Sequence, residues 1–126
     1  MLSATPAVIL RDTMQVYTRG DGHYFCGHWN GSPVEIGDST LLRSVPALEA
    51  RHYHDFFEYY IALEGEAELE VEGEVVRLAA GSVVMVHPGE RHQIAWVHPE
   101  RGARWIVVKQ QSDPRGKHVV GARGAA

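Results

Sequence analysis

A chain of 126 residues and 14.0 kDa has room for one hydrophobic core and not for two. With 44% hydrophobic and 22% charged residues, 13 glycines and 6 prolines, it has a turn-rich globular composition rather than a disordered or coiled-coil one. A net charge of −4 and a pI near 6.0 supply no basic face for nucleic acid. Its apolar stretches, such as Val83 to Val86, fall far short of a membrane span, and the start Met1-Leu2-Ser3-Ala4-Thr5-Pro6 lacks the pattern of a signal peptide, so a cytoplasmic location is expected. The single cysteine, Cys26, has no internal disulfide partner and reads as a small buried apolar group.

Apolar residues at helical spacing are nowhere sustained for three turns, whereas two-residue alternation recurs throughout, which predicts an all-β chain. Residues 1–12 read as a peripheral arm. Trp29 lies in the turn-rich Gly27-His28-Trp29-Asn30-Gly31, where it is suited either to cap a barrel mouth or to fill a dimer interface. Strands are predicted over 39–45, 49–54 and 58–63, the last ending at Glu64-Gly65. In Ala67-Glu68-Leu69-Glu70-Val71-Glu72 the alternation buries Ala67, Leu69 and Val71 and turns the three glutamates to water. Gly73-Glu74 then closes a hairpin with Val75–Leu78. Further strands fall over 82–87, 91–97 and 103–110, separated by Pro88-Gly89 and Pro99-Glu100-Arg101-Gly102. The tail 113–126 is rich in Gly, Ala, Arg and Lys and reads as a mobile terminus, although Val119-Val120 has the makings of a short edge strand or of a segment exchanged with a partner subunit. Strands of this length and spacing predict a sandwich or a barrel-like double sheet.

The most specific signal is a group of metal-ligand types. His52 and His54 project from one face of a strand, about 7 Å apart at the backbone. Glu58 shares their parity, though Asp55-Phe56-Phe57 reads as a turn between them. His92 must return from farther along, and Pro88-Gly89 is the kind of turn that brings it back. Three imidazoles and one carboxylate suit Fe(II), Mn(II), Ni(II), Co(II) or Zn(II) and leave one or two positions for water or substrate.

Residues 52–65 resemble the first motif of the cupin superfamily, His-x-His, three or four residues, Glu, six residues, Gly. Gly81, Gly89 and His92 fall in register with the second. Pro46, Ser82, His87 and Trp96 depart from the pattern without removing a ligand. The resemblance spans about residues 40–110 of a single domain covering 1–126. It implies a double-stranded β-helix, the jelly-roll cupin barrel, with His52, His54, Glu58 and His92 binding one divalent transition metal ion inside it.

Glu58 or Tyr60 is placed to move a proton. Arg43, Met85, Ile94 and Trp96 are candidates for the substrate pocket, with surface exposure the alternative for Arg43 and plain core packing that for Ile94. His87 and His98 flank turns and are expected at the surface. The family's chemistry includes dioxygenases, decarboxylases, lyases, isomerases and polyketide cyclases. The narrowest expectation is a metal-dependent enzyme acting as an oxygenase or cyclase on an aromatic or β-dicarbonyl small molecule. The alternatives are a ligand-binding or sensing module without turnover, and a metal-free epimerase. Free sheet edges lead us to expect a homodimer.

Overall fold

The computed structural model describes residues 8–9, 17–19, 22–41 and 50–120. Within them the alternating segments form ten strands: β1 (Tyr17–Arg19), β2 (Gly22–Cys26), β3 (Glu35–Leu41), β4 (His52–His54), β5 (Glu58–Val71), β6 (Glu74–Ala79), β7 (Val83–Val86), β8 (His92–Val97), β9 (Ala103–Lys109) and β10 (Lys117–Val119). Two short 3-10 helices, His28–Asn30 and Pro114–Gly116, complete the described secondary structure. All pairings are antiparallel, along a path β1-β2-β3-β9-β5-β8-β4-β10, with β6 and β7 also paired to β5. The result is an all-β jelly-roll barrel. No helix among the described residues is long and apolar enough to cross a membrane.

The barrel closes because β5 belongs to both of its sheets. Its first half pairs with β7 and β9, its second half with β6 and β8. The expected stop at Glu64-Gly65 is therefore not a stop: the strand runs on to Val71. A register shift between Ala62 and Glu64 marks the crossing, and it exchanges the buried parity. Glu58, Tyr60 and Ala62 face inward before it, Ala67 and Leu69 after it. Gly65 adopts φ 68° there, and a Cβ at this position would strike the carbonyl of Gly102, so only glycine fits the bend without displacement.

The core fills the space between the sheets with Leu41, Leu69, Leu78, Val97, Trp105 and Val107, all buried. Leu69 and Leu78 are 0% and 1% exposed, and full burial of such a side chain contributes roughly 1.5–3 kcal/mol. The β5–β6 hairpin turns through Glu72 (φ 48°) and Gly73 (φ 85°) between the paired Val71 and Glu74. Two consecutive positive φ values match the twist of the flanking strands.

Alternation misjudged one glutamate of the 67–72 segment. Glu72 is exposed, but Glu70 is 8% exposed, with Arg51 Nε 3.3 Å from its carboxylate. Arg51 leads into β4 and covers the outer face of β5 at this point, so Glu70 exchanges water for a guanidinium. The tail also differs from a mobile terminus over residues 113–120. Pro114–Gly116 forms a 3-10 turn, and Lys117–Val119 pairs with the edge of β4, the short edge strand anticipated at Val119-Val120.

Candidate metal centre

Four side chains converge at one end of the barrel interior. His52 and His54 come from β4, Glu58 from the first residue of β5, and His92 from the first of β8. His52 and His92 are direct cross-strand partners, and the Pro88-Gly89 turn is tied to β4 by a hydrogen bond from Gly89 N–H to the His54 carbonyl (2.8 Å). That turn is what returns His92 to the β4 histidines. One ligand atom from each of the four residues lies within 4.8 Å of the others, and all four residues are buried, none more than 2% exposed.

The backbone sets which ring nitrogen faces the centre. His52 Nδ1 donates to the Ala50 carbonyl at 2.7 Å and His92 Nδ1 to the Glu90 carbonyl at 2.9 Å. A neutral imidazole that donates from Nδ1 carries a bare lone pair on Nε2. Yet His92 Nε2 stands 2.8 Å from Glu58 Oε1, and His54 Nε2 3.4 Å from the same oxygen. Lone pairs on a neutral imidazole and on a carboxylate repel at such a distance, so a cation belongs between them. His54 adds a second indication: both of its ring nitrogens are buried without a hydrogen bond, which costs about 1–3 kcal/mol per group unless another partner is supplied. Borderline nitrogen donors with one hard carboxylate suit a divalent transition ion, and these four residues would hold it.

Electrostatics keep His52 and Glu58 in their ligating forms. Burial, reinforced by neighbouring His92, lowers the His52 imidazole from 6.5 to about 3. Burial by itself would raise the Glu58 carboxyl, but the adjoining His54 and His92 rings and the charge of Lys109 outweigh it and hold the group well below 4.5. Metal ligation requires neutral imidazole and ionised carboxylate.

Beside the cluster opens a cavity of about 320 Å³, lined by His28, Trp29, Glu35, His54, Phe56, Lys109, Asp113, Pro114 and Lys117. Its mouth is formed by the two 3-10 turns, which are joined through Ser112: its Oγ accepts from His28 N–H at 2.7 Å and lies 3.0 Å from His28 Nδ1. Trp29 lines this cavity and packs against the hydrophobic core.

The pocket candidates fare unevenly. Tyr60 is buried against His92, ring centroids 6.2 Å apart, but it belongs to the core and not to the cavity lining. Ile94 packs on the hydrophobic core. Met85 is 47% exposed, because the inward positions of β7 are even-numbered, and it does not line the cavity. Trp96 also faces outward, under the Arg77 guanidinium at 5.7 Å. Ala95 is an extra residue in β8, where Glu68 pairs with Trp96 and Leu69 with Ile94, so parity counted from His92 reverses. Arg43 lies outside the described residues. His87 is exposed and capped by Glu90, and His98, half-buried, accepts from the N–H groups of Glu100 and Arg101.

Lys109, Glu35, Phe56 and the tail residues Asp113, Pro114 and Lys117 were missed. Lys109 had a signal: it continues the inward alternation Ala103, Trp105, Val107 of β9. Its ammonium lies 3.1 Å from Glu35. Burial opposes that charge, but the carboxylates of Glu58 and Glu35 prevail and hold its pKa above 10.5.

The described fold is shared with solved structures of low sequence identity. A protein from Planctomyces limnophilus is 21% identical with TM-score 0.65, covering 91% of this chain and 97% of that one. A cupin-like protein from Thermotoga maritima is 17% identical with TM-score 0.64, covering 95% and 90%. The Streptomyces nucleoside dehydratase Pac13, also solved with uridine, is 10% identical with TM-score 0.69, covering 92% of each chain. No curated protein matches the sequence. The cupin domain family model, by contrast, matches residues 44–109, a span that contains every ligand of the cluster and strands β4 to β9 of the barrel. This protein is a member of the cupin domain family.

Proposed function

We propose that the protein is a metal-dependent enzyme for a small, flat organic substrate, with His52, His54, Glu58 and His92 holding one divalent ion of Fe, Mn, Ni, Co or Zn. One juxtaposition carries this reading: His54 belongs both to the ligand cluster and to the cavity wall, so a molecule in the cavity abuts the centre. A bound ion would supply Lewis-acid polarisation of a substrate oxygen. The chain supplies the rest. Trp29, Phe56 and His28 offer aromatic walls that exclude water and favour a planar guest. Glu58 holds negative charge at the centre away from solvent. Tyr60 supports the His92 ring from the core side, a positioning role rather than one of proton transfer in the cavity.

Oxygenase or cyclase chemistry on an aromatic or β-dicarbonyl compound fits these walls best. The test is to measure metal content of the purified protein and then follow oxygen uptake and products with phenols, β-diketones and, because the fold is shared with Pac13, uridine. One metal per chain with turnover of a planar substrate is expected. Tight binding without turnover under each metal would instead make it a binding module, and turnover undiminished by chelation or by His52→Ala/His54→Ala would make it a metal-free enzyme.

We further propose a homodimer. Leu63, Val83 and Met85 are 41%, 59% and 47% exposed on adjoining strands of one sheet, an apolar surface that a second copy would cover. A monomeric mass in sedimentation would contradict it.

A further inference from the structure

We propose, resting on the function above, that the cavity beside His54 is a subsite for a planar organic monoanion whose charged end is selected by Lys109 and Lys117. Lys109 is the last residue of β9, and its pairing places it directly opposite Glu35 on β3 and Glu58 on β5. A carboxylate, an ammonium and a second carboxylate thus form one row across three neighbouring strands. Glu35 engages the ammonium at 3.1 Å, and the Tyr24 ring lies 5.5 Å beneath it. An ammonium has three N–H donors; Glu35 engages one side of this one, and the residue lines the cavity while only 7% of it is exposed. Lys117 lines the same cavity from β10, opposite His54.

The formal charges favour an anion. Among the charged lining residues the two lysines balance Glu35 and Asp113, and Arg115 grips Asp113 through two contacts of 3.1 Å. A divalent ion held by three neutral imidazoles and one carboxylate would add one further positive charge. With that ion bound the chamber would be net positive, and a partly desolvated positive chamber discriminates strongly against neutral and cationic guests. About 320 Å³ stands at the small end of organic-ligand pockets. Aromatic walls and that volume suit a single ring carrying one carboxylate or enolate.

The experiment is calorimetric titration of the metal-loaded full-length chain with benzoate, benzamide and benzylamine, which share a ring and differ in charge. Benzoate is expected to bind at least 10-fold more tightly than the other two. Lys109→Met should weaken benzoate by about 10- to 100-fold, the scale of one charged hydrogen bond, and leave benzamide unchanged. Lys109→Arg should restore most of the affinity. If Lys109→Met alone fails to fold, adding Glu35→Gln removes the stranded carboxylate and permits the same comparison; Lys117→Met gives a smaller loss in the same direction. Equal binding of the three compounds, no binding of any, or benzoate affinity unaltered in the folded Lys109 variants would overturn the subsite. Metal content of the same samples reports separately on the centre, so loss of the ion is not mistaken for loss of the anion site.

Discussion

The ligand cluster is carried on three paired strands, whereas the mouth of its cavity is assembled from two 3-10 turns joined by His28 and Ser112, 84 positions apart in the chain. In the cluster, strand pairing places the backbone and carbonyls at Ala50 and Glu90 aim the rings. At the mouth, single side-chain hydrogen bonds at exposed positions do both tasks. Sheet hydrogen bonds open only with the sheet, while isolated surface bonds contribute about 1 kcal/mol each. The centre is therefore expected to be rigid and the mouth to be the part that yields to ligand.

The sharpest way to break this contrast is to remove a ligand. His92→Ala is expected to weaken metal affinity well beyond the roughly 10- to 100-fold typical of lost outer partners, as measured by competition with a chelator, with the fold retained by circular dichroism. Undiminished metal content would dissociate the cluster from ion binding altogether. The bend that aligns the two halves of β5 comes next. Gly65→Ala forces a Cβ against the Gly102 carbonyl at positive φ and is expected to destabilise the protein by about 2 kcal/mol or more in urea titration; an unaltered midpoint would show that the crossing tolerates a side chain.

Acidification separates the regions in another way. In metal-free protein the folded His52 sits near 3 against 6.5 for the ordinary imidazole, so between these values the unfolded chain binds a proton that the folded chain does not. Stability should then fall as pH drops below 6.5, at a slope of at most about 1.4 kcal/mol per pH unit for one group. Glu58, held well below 4.5, adds stability that is present above its unfolded pKa and is lost on further acidification, in the same direction. Denaturant midpoints measured from pH 7.5 to 4 test this; a flat profile would mean that the two groups titrate as they do in the unfolded chain. The smallest effect belongs to the mouth. Ser112→Ala should reduce stability by about 1 kcal/mol, leave metal content intact and weaken aromatic ligands severalfold. Loss of metal in this variant would show that the mouth and the centre are one unit.

The ligand set was legible because its residues sit at strand positions whose parity survives: His52 and His54 two apart on β4, and His92 at the start of β8 before any irregularity. The same parity argument failed one turn of pleat later, since Ala95 inserts a bulge and carries Trp96 outward. It failed again at Leu63, where the shift lets β5 change sheets instead of ending. Lys109 was readable from the inward run of β9 yet overlooked, because a lysine at a strand end ordinarily reaches water.

The amino-acid sequence by itself determined the all-β class, the turns around Gly73 and at Pro88-Gly89, the family, and which side chains are fit to hold an ion. These follow from alternation, backbone preference and donor chemistry, all of which act over a few residues. Only the tertiary structure decided that Glu35 and Lys109 stand in one row with Glu58, that Asp113, Pro114 and Lys117 contribute to the cavity wall, and that Met85 and Trp96 do not. Those outcomes depend on strand register and on bulges, where one inserted residue exchanges inside for outside, and on contacts between segments distant along the chain.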